Sequence, residues 1–118
     1  AQAKAREAEV DMSIAVADKA GRPVMFVRGD GRGPFAYEMT MGRTVAAVIA
    51  RRRTVDMGGF YSTGNVFPAP FMPVPGGAPV MHEGKVLGAV GCGGGTSEQD
   101  QECADAAAEA IVAAFARG

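Results

Sequence analysis

Glycines at positions 88, 91, 93, 94 and 95, inside and just after one strand, restrict this chain more than any other feature. A strand glycine gives up packing and costs conformational entropy, so a series of them requires something to approach the backbone closely. They belong to the stretch from Gly76 to Phe115, which reads as a glycine-gated strand, a tight hairpin, a second strand, a triple-glycine turn and an alanine-rich helix. The connection Glu83-Gly84 between Val80-Met81 and Lys85-Val86-Leu87 suits a primed turn, since Gly84 takes positive φ without steric cost. Thr96 followed by Gln99 matches a capping box, and Glu98 and Asp100 suit the positive end of the helix dipole. Cys103, Ala107, Ile111, Ala114 and Phe115 form the expected buried face of a helix from about Ser97 to Ala116, with Asp105 and Glu109 turned outward.

Upstream, residues Ala1 to Val10 are helix formers throughout. Met12, Ile14 and Val16 then share one strand face, while Ser13, Ala15 and Ala17 line the other and leave room for a helix. Asp18-Lys19-Ala20-Gly21 reverses the chain into Pro23 to Arg28, and the exit through Pro34 is turn chemistry. From Phe35 to Arg53 the period becomes helical, with Tyr37, Met41, Val45, Val48 and Ile49 as the apolar stripe and Arg43 beside Ala46, Ala47 and Ala50. Residues Thr54 to Pro75 are irregular and carry Phe60, Tyr61, Phe67, Phe71 and Met72 among prolines. These aromatics must cover something: the sheet itself, a subunit contact or a ligand. Hairpins separated by helices imply an α+β two-layer sandwich, with an antiparallel sheet and helices on one face.

A chain of 118 residues makes one domain, 1–118, with a core that needs neither disulfide nor structural metal. A net charge of -1 excludes a sequence-independent grip on nucleic acid. The one basic run, Arg51-Arg52-Arg53, falls where a helix ends and suits its dipole. The absence of a membrane-length apolar run and of a signal-peptide pattern makes the cytoplasm the expected location. Cys92 and Cys103 lack metal-ligand spacing and read as reduced thiols.

Candidate chemistry concentrates at few positions. Gly91-Cys92-Gly93-Gly94-Gly95-Thr96 before a helix reads either as an anion cradle or as a steric turn. His82 is the only histidine and lies at the hairpin rim, as a strand residue, a ligand or a base. Arg28, Asp30 and Arg43 converge if the hairpin exit and second helix are neighbours, either to bind a carboxylate or propionate in bidentate fashion or as a structural salt bridge.

Several strings together resemble the GlcG/HbpS-like family, which includes the C-terminal domain of PduO-type proteins. They are Ile14 to Gly21, Arg28-Gly29-Asp30-Gly31, Arg43 to Thr54, Gly76-Gly77-Ala78-Pro79-Val80, and Gly84 to Gly91 through Gln99-Asp100. The resemblance implies a profilin-like sandwich with about five antiparallel strands, assembled as a homo-oligomer, dimer or higher, and associated with heme or corrinoid chemistry. The chain departs from the family pattern at Arg43-Thr44, where Lys-Ala is common, and at Gly91-Cys92-Gly93-Gly94, where Gly-Val-Ser-Gly is common. The resulting expectation is a domain that binds heme or another anionic, partly aromatic small molecule. Its pocket would be bounded by the loop of prolines and aromatics, Gly76-Gly77, Arg43 and the glycine turn Gly91 to Gly95, with Arg28, Asp30, Arg43, Gly76, Gly77, His82, Cys92, Gly93 and Gly94 as the ligand-binding candidates. If heme binds, His82 is the only imidazole, with Met or Cys ligation as the alternatives. Two other classes remain open. One is an enzyme on a carbonyl or carboxylate metabolite, with Arg43 as anchor, the glycine-turn amides as oxyanion site and Tyr37, His82 or Cys92 as proton carrier. The other is an assembly subunit whose aromatic loop buries against a partner.

Overall fold

The computed structural model describes residues 12–29, 36–56 and 74–117. The expected helix over residues 1–10, the turn with Asp30 and Pro34, and the aromatic and proline positions 60–73 lie outside these. The elements are β1 (Ser13–Asp18), β2 (Pro23–Val27), α1 (Ala36–Ala50), a 3-10 turn (Thr54–Asp56), β3 (Gly77–His82), β4 (Lys85–Gly93) and α2 (Ser97–Arg117). The sheet order is β2-β1-β4-β3, antiparallel throughout. The α+β class, the antiparallel sheet and the flanking helices are as expected, with four strands among the described residues where about five were anticipated.

Strand alternation sets the layering. Ile14 of β1 and Met12 just before it join Ala78, Val80, Val90 and Cys92 against Cys103, Ala104 and Ala108 of α2. Ala15 and Ala17 point the other way, onto Met41 and Val45 of α1, and Ala89 meets Ala47 and Val48 there. The single helical layer anticipated from the hairpin order therefore divides, with one helix on each face of the sheet. The cause is that both faces of the central strands are covered: the large one by the alanines of α2, the small one by a helix drawn in close.

That close approach also rearranges the helix stripe. Met41, Val45 and Val48 are buried as expected, whereas Tyr37 and Ile49 are exposed. Thr40 and Thr44 take the innermost positions at 1% and 0% exposure. The Thr44 hydroxyl donates to the Thr40 carbonyl at 2.8 Å, so its burial leaves no donor unsatisfied. In α2 the face is likewise rotated: Asp100, Gln101, Ala104 and Ala108 are buried, while Ala114 and Phe115 are exposed.

The local chemistry is as read from sequence. Glu83 and Gly84 both take positive φ, 52° and 80°, a type I′ geometry. Thr96 and Gln99 exchange their capping bonds, Gln99 N donating to Thr96 Oγ1 at 3.1 Å and Thr96 N to Gln99 Oε1 at 2.9 Å. The helix α1 ends at Ala50, so the arginine run falls just past its C-terminus.

Candidate functional site

The glycines meet parts of the same chain. A Cβ on Gly91 would overlap Thr44 Oγ1 and stand 2.6 Å from the Thr40 carbonyl oxygen, and one on Gly93 would overlap Arg43 Nη1. On Gly77 it would overlap the Arg43 carbonyl, and on Gly76 it would stand 2.6 Å from the Cys92 carbonyl and 2.9 Å from Arg43 Cδ. Helix α1 thus lies flat on bare backbone, and Arg43 reaches past the end of β4. Its Nη1 donates to the Cys92 carbonyl at 3.0 Å and faces Asp100 Oδ2 at 3.7 Å. Arg43 Nε is buried without a hydrogen-bond partner among the described residues.

Beside this pair, Gln101 and Thr54 hold the start of β3. Gly76 N donates to Gln101 Oε1 at 2.9 Å, Gln101 Nε2 to the Gly77 carbonyl at 2.9 Å, and Gly77 N to Thr54 Oγ1 at 2.7 Å. Of the residues read from sequence, the fold brings Arg43, Gly76, Gly77, Cys92 and Gly93 together, with Gly94 following at φ 125°. It adds Thr54, Asp100 and Gln101, which sequence reasoning passed over. Their one signal was polar residues near the glycines, and polarity alone does not separate an inward side chain from a solvated one.

Two of the turn's amides are already engaged. Gly95 N donates to Asp100 Oδ1 at 2.9 Å, and Thr96 N is taken by Gln99. Burial first, then the neighbouring Cys103 thiol, push the Cys92 thiol up from 9.0 to about 12. A neutral thiol of that kind is neither nucleophile nor proton carrier near pH 7. A stability consequence follows. The unfolded thiol loses its proton near 9 and the folded one only near 12, so the unfolded state binds fewer protons between those values. The contribution of Cys92 to stability is therefore intact below pH 9 and declines as pH rises towards 12. With both cysteines buried, a thiol-reactive dye at pH 8 should label neither in the native protein and both in denaturant. Rapid native labelling of Cys92→Ser protein would place Cys103 at the surface and contradict the packing.

The remaining candidates lie apart. Arg28 is exposed beyond β2, two strands from Gly93, roughly 10 Å at the usual strand spacing. Asp30 is outside the described residues. Tyr37 packs edge-on against Phe26 at 5.1 Å. His82 closes β3 at the end opposite Gly77, roughly 16 Å away by strand rise. The three proton carriers named above thus occupy three separate places.

His82 instead adjoins a groove of about 530 Å³ between β3 and α2. Its wall is Ala78, Pro79 and Met81 facing Ala108, Val112 and Ala113, with the exposed Glu109 on the helical side and Arg53 and Asp105 joined at 3.4 Å. The imidazole meets Phe115 edge-on at 5.3 Å and faces Glu83 at 3.6 Å. Phe115 lies one turn beyond Val112, so this ring pair stands at the C-terminal end of the groove's helical side.

Residues 1–109 match the family described as haem degrading protein HbpS-like. A Citrobacter freundii protein described as an uncharacterized 15.0 kDa protein in the dhaT-dhaS intergenic region is 29% identical over 113 residues, covering 90% of this chain and 80% of its own. The crystal structure of Klebsiella pneumoniae protein ORFY matches with TM-score 0.80 and 28% identity, over 92% of this chain and 79% of that one. That of a PduOC:heme complex matches with TM-score 0.79 over 92% and 83% of the two chains; at 20% identity this is a likeness of fold.

Proposed function

We propose, because this chain belongs to the HbpS-like family, that it is a small-ligand-binding domain for heme or a comparable flat, partly aromatic anion, docked in the groove between β3 and α2. The observation that carries the placement is the apolar wall of that groove ending at the His82–Phe115 pair. The residues fit the group. The volume lies within the range of about 300–1,000 Å³ usual for small-molecule pockets. The only imidazole of the chain is half-buried, steadied by the Phe115 edge, and faces the highly exposed Glu83 carboxylate, which can swing away.

Ala78, Pro79, Met81, Val112 and Ala113 would exclude water from the macrocycle, and His82 would offer a ring nitrogen to the iron. Arg53, half-exposed and shared between Asp56 and Asp105, is the nearby cation for a propionate. Bound heme would supply redox and ligand chemistry; the chain would supply the apolar wall, the His82 ring nitrogen and the Arg53 charge. The family's description and the heme complex of a structural neighbour support this reading. A homo-oligomer, dimer or higher, is part of it, supported by Val24 and Met25, exposed on the edge strand β2. So is a cytoplasmic location, supported by the buried free thiols; no described helix is long and apolar enough to cross a membrane.

Titration with hemin should shift and sharpen the Soret band. His82→Ala should weaken binding at least about tenfold, roughly 1.4 kcal/mol. Ala113→Glu, at an exposed wall position, should weaken it without altering the fold. A flat titration of the wild type would sink heme as the ligand. Unchanged affinity in both variants would sink the groove as its place.

A further inference from the structure

We propose that a second recess, at the other end of the sheet from Arg43, binds an organic anion in which a carboxylate or phosphate is joined to an apolar body. The recess measures about 670 Å³ and shares no lining residue with the β3–α2 groove. Three cations from three different elements line it: Lys19 in the β1–β2 turn, Arg51 just past α1, and Lys85 at the start of β4. Its floor is apolar, with Val48, Ile49 and Leu87.

Among the described residues, no carboxylate lines the recess and none of the three cations forms an ion pair. The acids next in sequence are engaged elsewhere. Asp18 Oδ1 accepts from Ala20 N at 2.9 Å and Arg22 N at 3.1 Å, which ties it into its own turn. Glu83 faces His82. Like charges gathered around a concavity repel one another, and an anion between them relieves that repulsion.

Exposed apolar surface points to a ligand of mixed character. Ile49, 46% exposed, leaves apolar surface open among the cations, which a bare inorganic anion would not cover. Arg51 holds φ at 56°, a left-handed conformation that glycine adopts freely and that is unfavourable for a long side chain. The helix dipole accounts for a cation near this helix end, but Lys19 and Lys85 arrive from hairpin turns that owe nothing to it. Three charges on a chain of net charge -1 suit a small anion rather than a nucleic acid.

The test is an amide-resolved NMR titration of the full chain with phenyl phosphate, alongside inorganic phosphate and phenol as its halves. Phenyl phosphate should produce saturable shifts at Ala20, Arg51, Gly84 and Lys85, stronger than either half, and weaker in 200 mM than in 20 mM salt at roughly severalfold. Arg51→Gly should raise thermal stability, by releasing the left-handed strain, while reducing affinity about tenfold; Lys85→Gln should reduce affinity without changing stability. The absence of saturable shifts at these amides would overturn the site. So would unchanged affinity in both variants. Equal shifts with inorganic phosphate alone would overturn the organic-anion assignment.

Discussion

Replacing Gly91 by alanine should remove about 3 kcal/mol of folding stability, at the upper end of what overpacking a core costs, and lower the melting temperature by roughly 10 °C. The new methyl would occupy the position of Thr44 Oγ1, which a threonine can vacate by turning. It would also stand 2.6 Å from the Thr40 carbonyl oxygen, which belongs to the helix backbone and moves only with the helix. Thr44→Ala in the same chain should therefore recover part of the loss and not all of it. Gly84→Ala is the comparison: a Cβ there meets nothing within 4 Å, but φ is +80°. Its cost should be near 1–2 kcal/mol, from left-handed backbone alone. Urea denaturation of the four proteins separates space from φ. If Gly91→Ala falls within 0.5 kcal/mol of wild type, roughly the scale of neutral surface changes, the helix does not lie on bare strand backbone.

The same contrast shows what could be read in the residues. Glu83-Gly84 and Thr96 with Gln99 were legible because a primed turn and a capping box are fixed by a few neighbours in sequence. The alternation of Ile14 and Val16 with Ala15 and Ala17 was legible as two unlike faces. That each face receives its own helix was not, since alternation says how much room a face leaves and not which element fills it. The glycines from Gly88 to Gly93 announced a close approach, and the approach is real. A sequence cannot say whether the visitor is a ligand or a helix; here Thr40, Thr44 and Arg43 of α1 stand over Gly77, Gly91 and Gly93. Thr40 and Thr44 were missed as core because their polarity disguises them, and the bond from the Thr44 hydroxyl to the Thr40 carbonyl makes burial of Thr44 tolerable. His82 was visible as the chain's only imidazole, but its distance from Arg43 depends on strand length, which places them at opposite ends of β3.

Arg43→Ala should be the most damaging single change, costing about 3–5 kcal/mol, because it takes the guanidinium away from a buried carboxylate rather than merely removing a contact. Side-chain exposures of 12% for Arg43 and 5% for Asp100 leave little water to replace the guanidinium. The lost side chain also vacates the space over Gly76 and Gly93 and frees the Cys92 carbonyl. Asp100→Asn should cost less, since an amide oxygen can still accept from Gly95 N. In a double-mutant cycle, Arg43→Ala with Asp100→Ala should cost less than the sum of the two, as no unpaired charge then remains. Raising the salt concentration should barely change the coupling, because screening acts weakly on a buried pair. This result decides between two roles for the arginine. An anchor for a carboxylated ligand would leave the fold intact when removed and abolish hemin binding; a lock between α1 and α2 would lower the denaturation midpoint and leave hemin affinity unchanged wherever the variant is still folded. The carbonyl and carboxylate already seated on Nη1 favour the lock.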